Sequence, residues 1–530
     1  MDVIFAHSGK NHIHPESRIA GRRIPLYYSL SRDCFAPAPQ MRGGTRNDKM
    51  PIRLYNTLSR TKEVFKPLHK KKVGFYACGP TVYWHAHLGN LRTYIFEDIL
   101  RRALEYNGYK VKHVMNFTDV GHLTSDDDIG EDKMEKGAQR EGKTAKEIAA
   151  FYIAAFKNDL RALNIEKPTI FAKATEHIKE QINLVKILEK KDFTYKITDG
   201  IYFDTAKLPD YGRLARLKLE GQRAGARVAQ AEGKKNPADF AVWKFAPKGT
   251  KRQQEWNSPW GKGFPGWHLE CSAMSQKYLG EQFDIHAGAN DLIPIHHTNE
   301  IAQSQAAYGC IPAHYWLHGE FLLIDGNKMA KSLENFMTLE KTSERFNPLA
   351  FRYLTLTAHY RSQLNLTWDS MEAAQIALNN LSDKMRELAM APAHDWWLAK
   401  LTLALGLANK EKQEISKKIK KYQEDFLQAV NDDLDMPKAL SIIWPMMEDA
   451  AICAPAKKEL LLEFDKVLGL GLSDIKSTET PAEIQKLVRQ REQFRQQKHF
   501  IQADVIRARI EKAGWLIEDT NEGPKIKRKN

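Results

Sequence analysis

The chain has 530 residues, enough for two to four domains and a sizeable core. Its 42% apolar content is that of a soluble protein, and no apolar run reaches the roughly 18 residues of a membrane span, so an integral membrane protein is not expected. The 80 Lys+Arg against 66 Asp+Glu leave a formal charge of +14, which fits a polyanionic partner such as RNA better than an acidic membrane, there being no basic amphipathic anchor.

Five cysteines, at 34, 78, 271, 310 and 453, form no CxxC pair and no disulfide framework, which points to a reducing compartment, the cytoplasm. Cys34, Cys310 and Cys453 read as ordinary thiols. Residues 1–49 mix His, Arg, Pro and Gly without sustained periodicity and lack the apolar stretch of a signal peptide. They are expected to be a disordered extension, with Met50 a second candidate start just before regular structure begins at Ile52.

The next stretch, Val73 to Tyr94, reads as a strand running into a helix: Val73 to Tyr76 is apolar and bounded by Gly79-Pro80, and apolar residues recur at helical spacing from Leu88 to Tyr106. Between them lie Cys78, His85 and His87, at the carboxyl end of a strand, where open α/β sheets bind ligands. The helix opening at Leu88-Gly89-Asn90 would direct unpaired backbone N–H groups into the same crevice, which suits a phosphate. The apolar pattern KVKHVMNFTDVG follows and completes a right-handed βαβ unit, with Asn116, Thr118 and Asp119 facing the crevice.

The acidic run Thr124 to Asp132 has neither the spacing nor the terminal glutamate of an EF-hand and reads as a solvated loop. Residues 144–191 read as two helices, followed by a hairpin from Phe193 to Phe203 turning at Asp199-Gly200 and then by a basic, glycine-dotted loop that reads equally as a solvated surface or as an RNA contact. Periodicity returns in a helix from Gly266 to Tyr278, a strand Phe283 to His286, a turn at Gly288 to Asp291, a helix from about His296 to Tyr308 and a strand Tyr315 to Ile324. That strand leads through Asp325-Gly326-Asn327 into Lys328-Met329-Ala330-Lys331-Ser332. Beyond it the chain is helical, ending in a basic helical hairpin with Phe494, Phe500 and Trp515, which suit stacking on unpaired bases.

His87-Leu88-Gly89-Asn90 is a weak signal alone, since such a string arises by composition in roughly one chain in twenty of this length. Lys-Met-x-Lys-Ser arises in fewer than about one in a hundred, so the pair carries the weight. Together the two strings resemble the paired signatures of class I aminoacyl-tRNA synthetases. The segments Cys78 to Tyr83, Asn116 to Asp119, Gly266 to Met274 and His296 to Ser304 resemble the cysteinyl-tRNA synthetase family, in the right order from about Leu54 to near the C-terminus. Alanine at 330, where serine is commoner, and asparagine at 90 keep the phosphate-facing groups.

The resemblance implies an α/β fold: a Rossmann-type parallel-sheet catalytic domain at 50–345, split by an α+β insertion at about 122–262. A helical tRNA-binding bundle follows at 346–473, and a small C-terminal α+β anticodon-binding domain at 474–530. It implies an ATP-dependent, AMP-forming ligase for cysteine and tRNA(Cys), monomeric and free of membranes. His87, Asn90, Lys328 and Lys331 would be catalytic, and with Gly89 and His286 would bind ATP, carried with Mg²⁺. Thr118, Trp267 and Asp291 would bind cysteine. Cys78, Cys271, His296 and Glu300 would hold one zinc ion, with His297 as rival ligand.

No local spacing announces that metal set, although His296 and Glu300, four apart, share a helix face. Zinc would bind sulfur as thiolate and leave serine's hydroxyl behind, which removes the need for an editing domain. The rival functions are a ligase joining cysteine to an aminosugar and a catalytically silent RNA-binding paralogue.

Overall fold

A computed structural model of the chain describes residues 50–121, 132–216, 233–246, 252–328, 336–390, 409–475, 481–520 and 523–528. The extension at 1–49, most of the acidic run, and the 217–232 part of the basic loop lie outside these. Among the described residues no helix is long and apolar enough to cross a membrane.

The elements that position the site are, in chain order, β1 (Lys72–Ala77), α1 (Leu88–Tyr106), β2 (Lys110–Phe117), α2 (Lys133–Glu141), α3 (Ala145–Ala162), β3 (Ile170–Lys173), α4 (Ile178–Lys190), α5 (Trp267–Leu279), β4 (Phe283–Ala289), α6 (Thr298–Tyr308) and β5 (Ala313–Gly319). The strands form a five-stranded sheet in the order β5-β4-β1-β2-β3, every pair parallel. β1 lies at its centre with Val73, Phe75, Tyr76 and Ala77 all buried, so residues of both faces are inside, as a strand covered by helices on two sides requires. The βαβ unit from Val73 to Phe117 is as the apolar pattern predicts.

Three local expectations need correction. β3 lies inside the span read as two helices and as part of the insertion. It is only four residues long, and the helical periodicity on either side masks it. The insertion's own sheet is made of Thr194–Ile197, Gly200–Phe203, Phe240–Phe245, Trp256–Ser258 and Gly261–Pro265. The strand expected from Tyr315 to Ile324 is broken after Gly319, because the buried Arg92 guanidinium takes the Glu320 and Phe321 carbonyls at 2.9 and 2.5 Å. Leu322–Ile324 instead pairs with Asn327–Lys328 and Leu364–Leu366. Finally, Trp515 is buried with Ile484, Val488, Ile506, Ile510 and Ile517, and Phe494 packs on this small core, so of the three aromatic residues expected to stack on bases only Phe500 is exposed, at 59%.

The helical part, from Pro348–Leu356 to Ala454–Leu468, is fastened to α1 through buried charge. Asp98 Oδ2 accepts from Arg352 Nη2 at 2.6 Å and Arg102 Nε at 2.7 Å, while Oδ1 accepts from Glu166 N at 2.8 Å. Arg352 also donates to the Leu468 and Leu163 carbonyls. Burial alone would raise the Asp98 pKa, but Arg352 and Arg102 hold it below the usual carboxylate value. Its stabilisation is therefore complete above the unfolded carboxylate pKa, near ~4, and is lost as pH falls through the lower folded value. Arg352→Met should cost about 2 to 4 kcal/mol in urea unfolding at neutral pH, since it leaves the buried Asp98 carboxylate with Arg102 as its remaining cationic partner and takes a donor from the Leu468 and Leu163 carbonyls. A loss under 1 kcal/mol would show that the network contributes little.

Candidate active site and metal centre

The chain leaves β1 at Ala77 and turns sharply. Cys78 N donates to Ala287 O (3.2 Å), Gly79 N to Asn116 Oδ1 (2.8 Å) and Thr118 N to Pro80 O (3.1 Å), which ties the ends of β1, β2 and β4 together. Gly79 is required by closeness: a Cβ there would sit 1.8 Å from the Asn116 carbonyl oxygen. Over these strand ends opens a crevice of about 340 Å³, bounded by the turn before α1, the first turn of α5 and the segment after β4.

His87 is the N-cap of α1. Its Nδ1 accepts from Asn90 N at 3.1 Å, and Asn90 Oδ1 accepts from His87 N at 3.2 Å, a reciprocal capping box. With Nδ1 used as acceptor, the neutral ring carries its proton on Nε2. Both residues line the crevice, as do Thr118, Trp267 and Asp291. The segment after the lysine loop returns to this same cap. Leu88 N donates to Met337 O at 2.9 Å, His87 and Thr338 form a β-bridge, and Phe336 sets its ring edge-on to the imidazole. The backbone of Lys328 pairs with Leu323, whereas its side chain and Lys331 lie outside the described residues. The described segment that follows the second signature, Phe336 to Thr338, thus lies against the first, about 240 residues earlier in sequence.

At the inner end of the crevice, Cys78, Cys271, His296 and Glu300, all buried, place one ligand atom each within 4.8 Å of one another. The sulfurs are 3.9 Å apart, Cys78 Sγ is 3.8 Å from Glu300 Oε1, and His296 Nε2 is 3.1 Å from the same oxygen. Bonds of about 2.0 to 2.3 Å at tetrahedral angles give cage edges of roughly 3.3 to 3.8 Å, so these side chains fit a zinc ion with little adjustment. Burial opposes ionisation of Glu300, yet His286 and His296 hold its pKa down to about 2. Burial likewise raises Cys271, but its contacts with Cys78 and His296 bring it to about 7. Burial works against a charged His296 too, and Cys271 and Glu300 overcome it, lifting its pKa to about 10. The Cys78 thiol goes the other way, pushed well above its ordinary value by burial and by the neighbouring Cys271.

His297 belongs to a second set with the same spacing, Cys78, His286, His297 and Glu300. Exposure separates the two. Cys78, Cys271 and His296 line the crevice, whereas His286 and His297 do not. Both histidines of the second set lie behind the ligands: His286 Nε2 meets Glu300 Oε2 at 3.0 Å, and His297 Nε2 is 3.3 Å from Cys78 Sγ. His297 Nδ1 is in turn 2.8 Å from His318 Nε2, and His318 Nδ1 is 2.8 Å from Thr57 Oγ1. Such outer partners orient ligands.

His286, expected to approach the adenosine or the amino group, is not among the residues that line the crevice. β4 runs three residues further than the apolar pattern indicated, to Ala289, so His286 lies fully buried in mid-strand, stacked on Trp316, and Ala289 and Asp291 reach the crevice instead. His296 and His297 also sit in a π-helical turn, Ile293–His297, rather than at the start of an α-helix. Sequence reading missed His268, whose Nδ1 is 3.0 Å from His296 Nδ1, and His318. His268 stands three residues before Cys271 in α5, and that spacing is the one signal that could have found it.

Residues 64–376 match the family model for the catalytic domain of tRNA synthetases class I (C). A cysteine–tRNA ligase of Burkholderia lata is 48% identical over 481 residues, covering 90% of this chain and 97% of that protein. A cysteine–tRNA ligase of Treponema denticola is 44% identical, covering 89% and 98%. A solved Mycobacterium tuberculosis methionyl-tRNA synthetase, in complex with methionyl-adenylate, has a TM-score of 0.53 at 14% identity, covering 76% of this chain and 93% of its own, a likeness of fold.

Proposed function

The chain belongs to the cysteine–tRNA ligase family of class I tRNA synthetases, and from that premise we propose how it selects and activates its amino acid. It is an ATP-dependent ligase whose partners are ATP, an amino acid and tRNA. Family membership leaves the aminosugar ligase and the silent paralogue without support.

The observation that carries the reading is a two-thiol, imidazole and carboxylate cluster opening into the same crevice as the His87–Asn90 cap. We assign Cys78, Cys271, His296 and Glu300 to one zinc ion, and prefer His296 to His297 because it faces the crevice. Zinc supplies a soft cationic partner for the substrate's sulfur, which a hard, weakly acidic serine hydroxyl cannot match. Thr118, Trp267 and Asp291 border the space left for the rest of the amino acid. Its carboxylate attacks the α-phosphate of ATP, pyrophosphate leaves, and a terminal ribose hydroxyl of tRNA(Cys) then takes the aminoacyl group, releasing AMP.

The His87 Nε2–H, the Gly89 N–H and the side-chain amide of Asn90, whose own backbone N–H is taken by the cap, serve the phosphates, with Lys328 and Lys331 neutralising charge on the transferring group and Mg²⁺ accompanying the nucleotide. The enzyme would work as a cytoplasmic monomer. The C-terminal hairpin, with a core of its own, would serve the anticodon side.

Purified enzyme should catalyse cysteine-dependent ATP–pyrophosphate exchange and charge tRNA(Cys). Removing the chain after Ser473 should spare exchange and abolish charging. Equal loss of both would refute this division of labour, and no exchange with cysteine in the intact enzyme would refute the function.

A further inference from the structure

We propose that Phe151 and its neighbours at the edge of the crevice seat the unpaired 3′ end of the tRNA, an inference that rests on the ligase reading above. Trp84 and His85, in the turn between β1 and α1, line the crevice. α3 brings Phe151 and Tyr152 against them, with His85 meeting both rings edge-on at centroid separations of 6.1 and 5.0 Å. Phe151 is 48% exposed, and the Lys143 ammonium lies 4.8 Å from its centroid. On the other side the Arg140 guanidinium sits 3.7 Å over the Trp84 ring. Glu141 holds that arrangement, accepting from Arg140 at 3.0 Å and from the Tyr152 hydroxyl at 2.5 Å, and it also pairs with Lys143 at 3.3 Å.

A single exposed phenylalanine calls for no explanation. Phe151, however, is the outermost of four rings that run without a break from the crevice wall, and cations lie over the first and last of them. Neither ATP, the metal ligands nor the amino acid uses this surface in the scheme above. A polynucleotide whose terminal ribose reaches an adenylate in the crevice must cross its edge, and its last nucleotides are single-stranded there. Aromatic faces beside cations are what proteins present to unpaired bases. The seat is sequence-tolerant by this chemistry, because every base has a face to stack.

The test compares Phe151→Ala with the parent enzyme on two ligands, intact tRNA(Cys) and the same tRNA with its unpaired 3′ nucleotides removed. The variant should bind intact tRNA about tenfold more weakly, the scale of one lost base–aromatic stack, and bind the shortened tRNA as the parent does. Phe151→Trp should restore the parent's affinity, and both variants should keep full cysteine-dependent pyrophosphate exchange. Unchanged affinity for intact tRNA, or an equal loss on both tRNAs, would overturn the seat. So would a parallel fall in exchange, which would make Phe151 a structural prop. Failure of the parent enzyme to exchange with cysteine would instead overturn the ligase reading.

Discussion

His87→Asn should lower cysteine-dependent ATP–pyrophosphate exchange by roughly 10² to 10³-fold, the scale of losing one well-placed donor to transition-state charge. Stability should stay within about 1 kcal/mol of the parent, because asparagine is among the best N-cap residues and can accept from the Asn90 N–H as the imidazole does. The substitution thus separates the two tasks of this residue. Nδ1 caps the helix, Nε2 is the donor proposed for the phosphates, and asparagine keeps the first while removing the second. His87→Ala should lose exchange to the same degree and about 1 kcal/mol of stability besides. If the asparagine variant exchanged within threefold of the parent, the imidazole would be a cap and nothing more, and the phosphate role would pass to the helix N-terminus and the lysines.

Cys271→Ser should have the largest effect on selectivity. The side chain keeps its size, so α5 keeps its packing, but one soft donor of the cluster becomes a hydroxyl that is hard and weakly acidic. Metal affinity should fall, and with it the preference for cysteine over serine. A preference of about 10⁴ corresponds to roughly 5.5 kcal/mol, several times what one change in pocket size provides. We expect cysteine kcat/KM in exchange to drop by at least about 10³-fold, the loss of most of that energy, with serine scarcely altered. The same drop for both amino acids would mean damage to the crevice as a whole, and an unchanged ratio would place sulfur recognition outside the cluster.

How much of this was legible without coordinates differs from element to element. The strand–helix–strand unit from Val73 to Phe117 is written in local pattern, because its strand is apolar on both faces and its helix carries a sustained 3.6-residue repeat. β3 is not, since four residues beside Pro168 carry too little pattern to stand out between two helices. The break after Gly319 was illegible because its cause, the Arg92 guanidinium, comes from more than 220 residues earlier. The metal cluster has the same character. Its members come from the turn after β1, from α5, from the π turn Ile293–His297 and from α6, and only the folded chain brings them within reach of one another. Between adjacent His296 and His297 no sequence pattern chooses. The difference is one of direction, toward the crevice or away from it, and the π turn at Ile293–His297 sets that direction. His286 lies away from the crevice for a simpler reason: the strand's small-residue end, Ala287 to Ala289, continues in extended form past the apolar run that marked it.

The central claim is that cysteine is recognised by an ion gripped by residues 78, 271, 296 and 300. Metal analysis of the purified enzyme tests it most directly, carried out alongside the His296→Ala and His297→Ala variants. One zinc per chain is expected in the parent, with the ion lost from His296→Ala and at least partly retained in His297→Ala. A fully active, cysteine-selective preparation without metal would contradict the claim.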